Sequence, residues 1–164
     1  NVGDLPEGCR GGWHTGKHTN HASLYVNTGF QQLISNLDHP DASVRVAALD
    51  AIGQWDATHD GTDTRAAVAP VGEVLRGDPD ADARWAAAYA LGALGYAEGA
   101  PALLAALDEA ESGGDGGLRL VIVKALGKTG SAEALPALEA LAHGESPCLR
   151  AAAQRALARL APVG

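Results

Sequence analysis

The chain reads as an all-α protein, an α-solenoid of about four helical hairpins preceded by a non-helical N-terminal arm. Three observations in its 164 residues carry that reading. The first is a recurring pattern: an acidic cap, an arginine, an alanine-rich helix and a glycine stop. It is cleanest in Asp80-Ala-Asp-Ala-Arg84-Trp-Ala-Ala-Ala-Tyr-Ala-Leu-Gly-Ala-Leu-Gly95. Further copies begin at Asp41, Asp115 and Ser146, and the four arginines, Arg45, Arg84, Arg119 and Arg150, stand 39, 35 and 31 residues apart. A period of this size marks stacked units, each of which buries its apolar face against the next. The second observation is composition: 46% hydrophobic residues but only 4% aromatics. Small side chains let helices approach towards the short end of the roughly 8–10 Å packing range. That suits thin stacked pairs better than a globule around one large core. The third is helical spacing of the apolar residues within each unit.

Taken in order, residues 1–27 differ from the rest. They are rich in Gly, Thr and His and show neither helical nor alternating periodicity, so an extended arm is expected, pinned by Leu5, Trp13, Leu24 and Tyr25. The repeat domain is expected over 28–162. Phe30, Leu33, Ile34 and Leu37 mark one face of a first helix. Asp41 caps a second helix running to about Trp55, and 56–63 is a polar loop. The second pair is expected over Thr64–Leu75 and Ala81–Leu94. The third is expected over Ala100–Glu111 and Gly117–Lys128, joined by the flexible turn Ser112–Gly117. The fourth follows over Ala132–Ala142 and Pro147–Leu160. Pro101 and Pro136 suit first helical turns, where a missing N–H costs nothing. Pro70 falls later, which implies a kink or a helix start nearer Ala67.

Counting from each arginine separates core from surface. The third position is Ala48, Ala87, Ile122 and Ala153, and the seventh is Ile52, Leu91, Leu126 and Leu157. Both columns are apolar throughout, as a core face demands. The sixth position is alanine in all four copies (Ala51, Ala90, Ala125, Ala156), which marks where one helix presses on another's backbone. The first position reads Val46, Trp85, Leu120, Ala151 and the fifth reads Asp50, Tyr89, Lys124, Arg155. Their chemistry changes from copy to copy, so packing is not expected to dictate them, and the face is free to bind.

The formal net charge of −8 disfavours nucleic acid, because phosphate binding rests on clustered Lys and Arg and the 12 basic residues form no stripe along the sequence. Arg150, Arg155 and Arg159 recur at helical spacing near the C-terminus, where cations offset a helix dipole. No apolar run is long enough to span a bilayer, so membrane insertion is not expected. No signal peptide is visible. The chain contains no Met, which points to processing or to a piece of a longer chain. The two cysteines, Cys9 and Cys148, are too few for a disulfide framework, and two free thiols are expected. The compartment stays open.

The pattern Asp-x-x-x-Arg-x-Ala-Ala-x-Ala-Leu-Gly, paired with a preceding Pro-Ala-Leu-x-x-Leu helix, resembles HEAT repeats, and more narrowly the short alanine-rich repeats named after phycobilisome lyases. The resemblance covers about residues 28–162. It implies HEAT-like hairpins whose second helices line a concave side, with a polar ladder made by Asp41/Arg45, Asp80/Arg84 and Asp115/Arg119. Ser146 replaces the aspartate in the fourth copy. Proteins with such repeats include bilin-attaching lyases, assembly factors, regulators and modules of enzymes. The arm also resembles part of phytanoyl-CoA-dioxygenase-like iron/2-oxoglutarate enzymes, through Gly3-Asp4-Leu5, His21-Ala-Ser23 and Asn27-Thr28. It lacks their upstream His-x-Asp and following Arg.

His14, His18 and His21 are weak metal-ligand candidates, because glycines between them argue against the helix that would align them. No catalytic motif or cofactor fingerprint is present: Gly113–Gly117 lacks the lysine and preceding strand of a phosphate loop. The expectation is therefore a scaffold or adaptor rather than an enzyme, binding another protein on the second-helix face without a cofactor. Trp85 and Tyr89, one turn apart, supply aromatic anchors, and Asp50, Lys124 and Arg155 supply specificity. The alternative is an enzyme-associated module, either a bilin-lyase-like subunit or the trailing part of an iron/2-oxoglutarate oxygenase.

Overall fold

The computed structural model describes residues 29–55 and 61–160. Eight α-helices and no strand occur among the described residues. They are α1 (Phe30–Ser35), α2 (Ala42–Gly53), α3 (Val68–Gly77), α4 (Ala81–Leu94), α5 (Ala100–Gly113), α6 (Gly116–Thr129), α7 (Leu135–Ala142) and α8 (Pro147–Leu160). Consecutive helices pair into four hairpins. The second helices α2, α4, α6 and α8 pack on one another in a row, and each also packs on its own first helix. This is an all-α solenoid. In the outer row α3 packs on α5, but α5 and α7 do not pack along their length.

Helix starts follow the caps. Asp41 accepts from the Ser43 amide at 2.9 Å and Asp115 from the Leu118 amide at 3.0 Å, while Asp80 accepts from the Asp82 amide at 3.4 Å. Each satisfies a first-turn donor that has no partner inside the helix. Gly95 ends α4 with φ 73°, a left-handed conformation that a side chain disfavours. Thr64–Ala67 is a 3-10 turn, and α3 begins only at Val68. That places Pro70 in the first turn and removes the need for a kink. The turn between α5 and α6 is tighter than expected, because α5 runs on to Gly113 and α6 starts at Gly116.

The core is one continuous cluster made mostly of alanine and leucine. The third-position column is fully buried, and in the seventh-position column only Leu157 of the last hairpin remains partly open. The sixth-position alanines meet glycines at the eighth position of the preceding hairpin. A methyl group placed on Gly92 would stand 2.9 Å from the Ala125 Cα, and one on Gly127 the same distance from the Ala156 Cα. At Gly53 the corresponding distance to the Ala90 Cα is an ordinary 3.5 Å.

A buried rung joins the first two hairpins. Arg45 donates through Nε to Asp78 Oδ2 at 2.7 Å and through Nη2 to Asp78 Oδ1 at 2.9 Å. The side chains are 12% and 5% exposed. This corrects the ladder that the repeat motif implies: the aspartates at the caps hold their own helices, and the cross-hairpin partner is Asp78, two residues before the Asp80 cap. A doubly bonded guanidinium and carboxylate need a partner reaching in from the loop, whereas a cap carboxylate is already committed to helix amides. Burial pushes the Asp78 carboxyl up, but the Arg45 hydrogen bonds and the Asp80 amide outweigh it and hold the group below the usual carboxylate range.

Cys148, in the first turn of α8, is disulfide-bonded, and no described cysteine is a free thiol. The expectation of two free thiols is corrected. Distance along the sequence carried no information about what the fold brings to Cys148. Cys9 lies outside the described residues, as do the expected arm and its histidines.

The helix contacts and the rung set the expected outcomes for stability. Gly92→Ala should destabilise by about 1–3 kcal/mol in a denaturant titration, because the backbone of α6 must move. Gly53→Ala should be neutral or slightly stabilising, since alanine is the better helix former and the space exists. Arg45→Leu should cost about 3–5 kcal/mol near neutral pH by leaving Asp78 buried without its counter-charge. Because the folded Asp78 value is lowered, the pair's stabilisation is present above about pH 4 and is lost as pH falls through the folded value. The gap between Arg45→Leu and the parent should therefore narrow in titrations run at about pH 3.

Candidate partner-binding surface

Along the second-helix row, the fifth-position side chains lie on successive helices: Asp50 on α2, Tyr89 on α4, Lys124 on α6 and Arg155 on α8. Tyr89 is the exposed large apolar side chain among the described residues, 46% open to solvent. Trp85, one turn earlier, stacks on it with ring centroids 5.6 Å apart and planes 10° from parallel. Trp85 itself is half-buried against the core. The pair thus has a fixed inner ring and an accessible outer one. An aromatic held this way loses little side-chain freedom on binding, which is what makes such residues anchors.

Lys128 was not legible as part of this surface. Its Nζ lies 5.6 Å from the Tyr89 ring centroid, within cation–π range. Gly92 explains how it gets there: a methyl group on that glycine would lie 3.6 Å from the Lys128 Cδ, so the lysine stem crosses the space a side chain would fill. Arg159 passes over Gly127 in the same way, at 3.7 Å. The missed signal was the ninth-position column, Gln54, Ala93, Lys128 and Arg159, which lies beside the fifth across the next hairpin.

These cations gather. Partial burial lowers the Lys124 ammonium, and the charges of Arg155 and Lys128 push it the same way. Lys124, Lys128 and Arg155, dispersed in sequence, thus converge on one row. That revises the expectation of no basic stripe. Asp50 sits at the opposite end of the row, on α2, separated from Arg155 by α4 and α6. Asp50, Trp85 and Arg155 each already take part in interactions of their own. The first-position column is less free than expected: Val46 and Leu120 are 2% and 6% exposed and belong to the core. Valine and leucine there are large enough to be drawn into packing.

No group of His, Cys, Asp and Glu among the described residues could hold a metal ion. His14, His18 and His21 fall outside them. No helix of the described residues is long and apolar enough to cross a membrane.

A row of hairpins, each packed only on its neighbours and offering a repeated helical face, defines a solenoid repeat protein. Residues 30–114 match HEAT repeats, and the chain belongs to that family. Residues 118–143 match the PBS lyase HEAT-like repeat. No curated protein matches the chain. HEAT repeats in general mediate protein–protein interaction. The iron-oxygenase likeness rests on residues 3–28, which lie outside both matches and outside the described residues.

Proposed function

We propose that this chain is a protein-interaction scaffold that holds an acidic segment of a partner protein on its second-helix row. The carrying observation is Tyr89: an exposed ring, stacked on Trp85 and flanked by Lys128, in a chain whose other large apolar side chains among the described residues are buried or half-buried. Tyr89 and Trp85 anchor the segment. Lys124, Lys128 and Arg155 attract its carboxylates, and Asp50 at the far end of the row sets its direction. The local positive charge stands out against a net charge of −8, so the partner is steered to one end of the row.

A second reading has one observation in its favour, the match of residues 118–143 to the PBS lyase HEAT-like repeat. A bilin-lyase-like subunit would change the absorbance of an added bilin, and an unchanged spectrum removes that reading.

For the scaffold, the partner retained by the parent chain in cross-linking pull-down should be lost with Tyr89→Ala combined with Lys124→Glu and Lys128→Glu. The helical circular dichroism should stay unchanged, because all three side chains are exposed. The parent affinity should fall with added salt, since exposed charge pairs are screened. Undiminished capture by the triple variant overturns the assignment. Displacement of the partner by a single-stranded oligonucleotide would redirect it to nucleic acid.

A further inference from the structure

The four repeat arginines do not have equal surroundings. Arg45 donates to the His39 carbonyl at 2.8 Å, Arg84 to the Asp78 carbonyl at 2.7 Å and Arg150 to the Gly144 carbonyl at 3.0 Å. Each carbonyl stands six residues before its arginine. The equivalent residue for Arg119 is Gly113, which is the last residue of α5, so its carbonyl is not presented by an extended loop. Arg119 also lacks the cross-hairpin carboxylate. Asp78 supplies it to Arg45, whereas the matching position in the fourth hairpin, two residues before the Ser146 cap, is Gly144. Arg119 is left with Glu111 at 3.9 Å, an exposed carboxylate beyond hydrogen-bond reach. Its side chain is only 19% exposed, and its Nε is buried without a hydrogen-bond partner. A guanidinium withdrawn from water with an unmet donor is costly.

Arg119 lines a groove of about 640 Å³. The groove exists because α5 and α7 do not pack along their length. Leu104, Leu107, Leu141 and Leu149 give it apolar walls, and Asp108, Glu111 and Glu145 also line it. None of these residues belongs to the Tyr89 surface. The volume falls in the range of pockets that bury a small ligand or a turn of peptide.

We propose that this groove docks an apolar segment of a partner protein that carries one Asp or Glu, whose carboxylate bonds Arg119 as Asp78 bonds Arg45. The rung between Arg45 and Asp78 shows the geometry that this arginine position accepts: one carboxylate across Nε and Nη2. The leucines take the flanking aliphatic side chains. The surrounding carboxylates repel a bare anion, so the segment bears a lysine or arginine beside its acid. Charge complementarity thus selects a zwitterionic apolar peptide over a phosphate or a free small anion.

The test uses the full chain and two blocked peptides, acetyl-Leu-Asp-Leu-Lys-amide and its Asn analogue, with arginine Nε–Hε resonances followed by NMR. The aspartyl peptide should move the Arg119 resonance saturably, and the asparaginyl peptide should bind about tenfold more weakly, the value of a charge-assisted bond. Arg119→Gln, followed through the backbone amides of Leu104 and Leu141 in the groove, should bind the aspartyl peptide no more tightly than the asparaginyl one, while its thermal midpoint stays unchanged or rises. Equal binding of the two peptides overturns the proposal, as does an Arg119 resonance that stays still at millimolar peptide. A fall in midpoint with Arg119→Gln as large as that of Arg45→Leu would make Arg119 a structural rung instead. Concentration-dependent dimerisation that Arg119→Gln removes would assign the groove to a second copy of this chain.

Discussion

The approach of one second helix to the next is the constraint on which the rest of the structure depends. At Gly92 against Ala125, and at Gly127 against Ala156, there is no room for one further carbon atom. Helices this close bury alanine completely, so a chain with little aromatic mass still builds a continuous core. Dispersion and area burial grow with contact rather than with side-chain size. The same closeness carries the stems of Lys128 and Arg159 back across the neighbouring hairpin, and so shapes the polar face as well as the core.

The polar contacts between hairpins are less regular than the apolar ones. One rung, Arg45 with Asp78, is complete and buried. The other described cross-hairpin ion pairs, Arg65 with Glu98 and Arg76 with Glu109, are about half-exposed at 2.9 and 3.0 Å. Pairs in that setting contribute about 0–1 kcal/mol each. Cohesion along the stack therefore rests on alanine and leucine, and loop positions are released from a shared structural duty. Position 78 keeps it as aspartate. Positions 113 and 144 are glycine, and Gly144 offers Arg119 no carboxylate for a rung.

The fold was legible because its signals are local and repeated. A cap, an arginine and a glycine at fixed spacing place α4 at the residues expected of it, and the alanine column identifies the contact row without reference to distance. That Trp85 and Tyr89 are neighbours on one helix face was legible for the same reason, since residues one turn apart lie side by side; the stacking of their rings and the partial burial of Trp85 came from the structure. What was not legible joins separate hairpins. Lys128 reaches Tyr89 only because Gly92 is bare. Asp78, rather than the cap aspartate, receives Arg45 because of where the loop enters. Val46 and Leu120 are enclosed by neighbours their own helices do not reveal. Each depends on the offset between hairpins, which a repeat pattern leaves undetermined.

The glycine and alanine contact also has a direction. The glycine always stands on the earlier helix and the alanine on the later one, so the row is polar, like a strip of hooks and eyes. On α8 the same position is Ala158, where α4 and α6 carry glycine. A further helix offering an alanine to that position would meet a methyl group instead of a gap, at a spacing where the two preceding junctions leave none. Docking as close as that of α4 on α6 is therefore opposed on this face of α8 by a single methyl group.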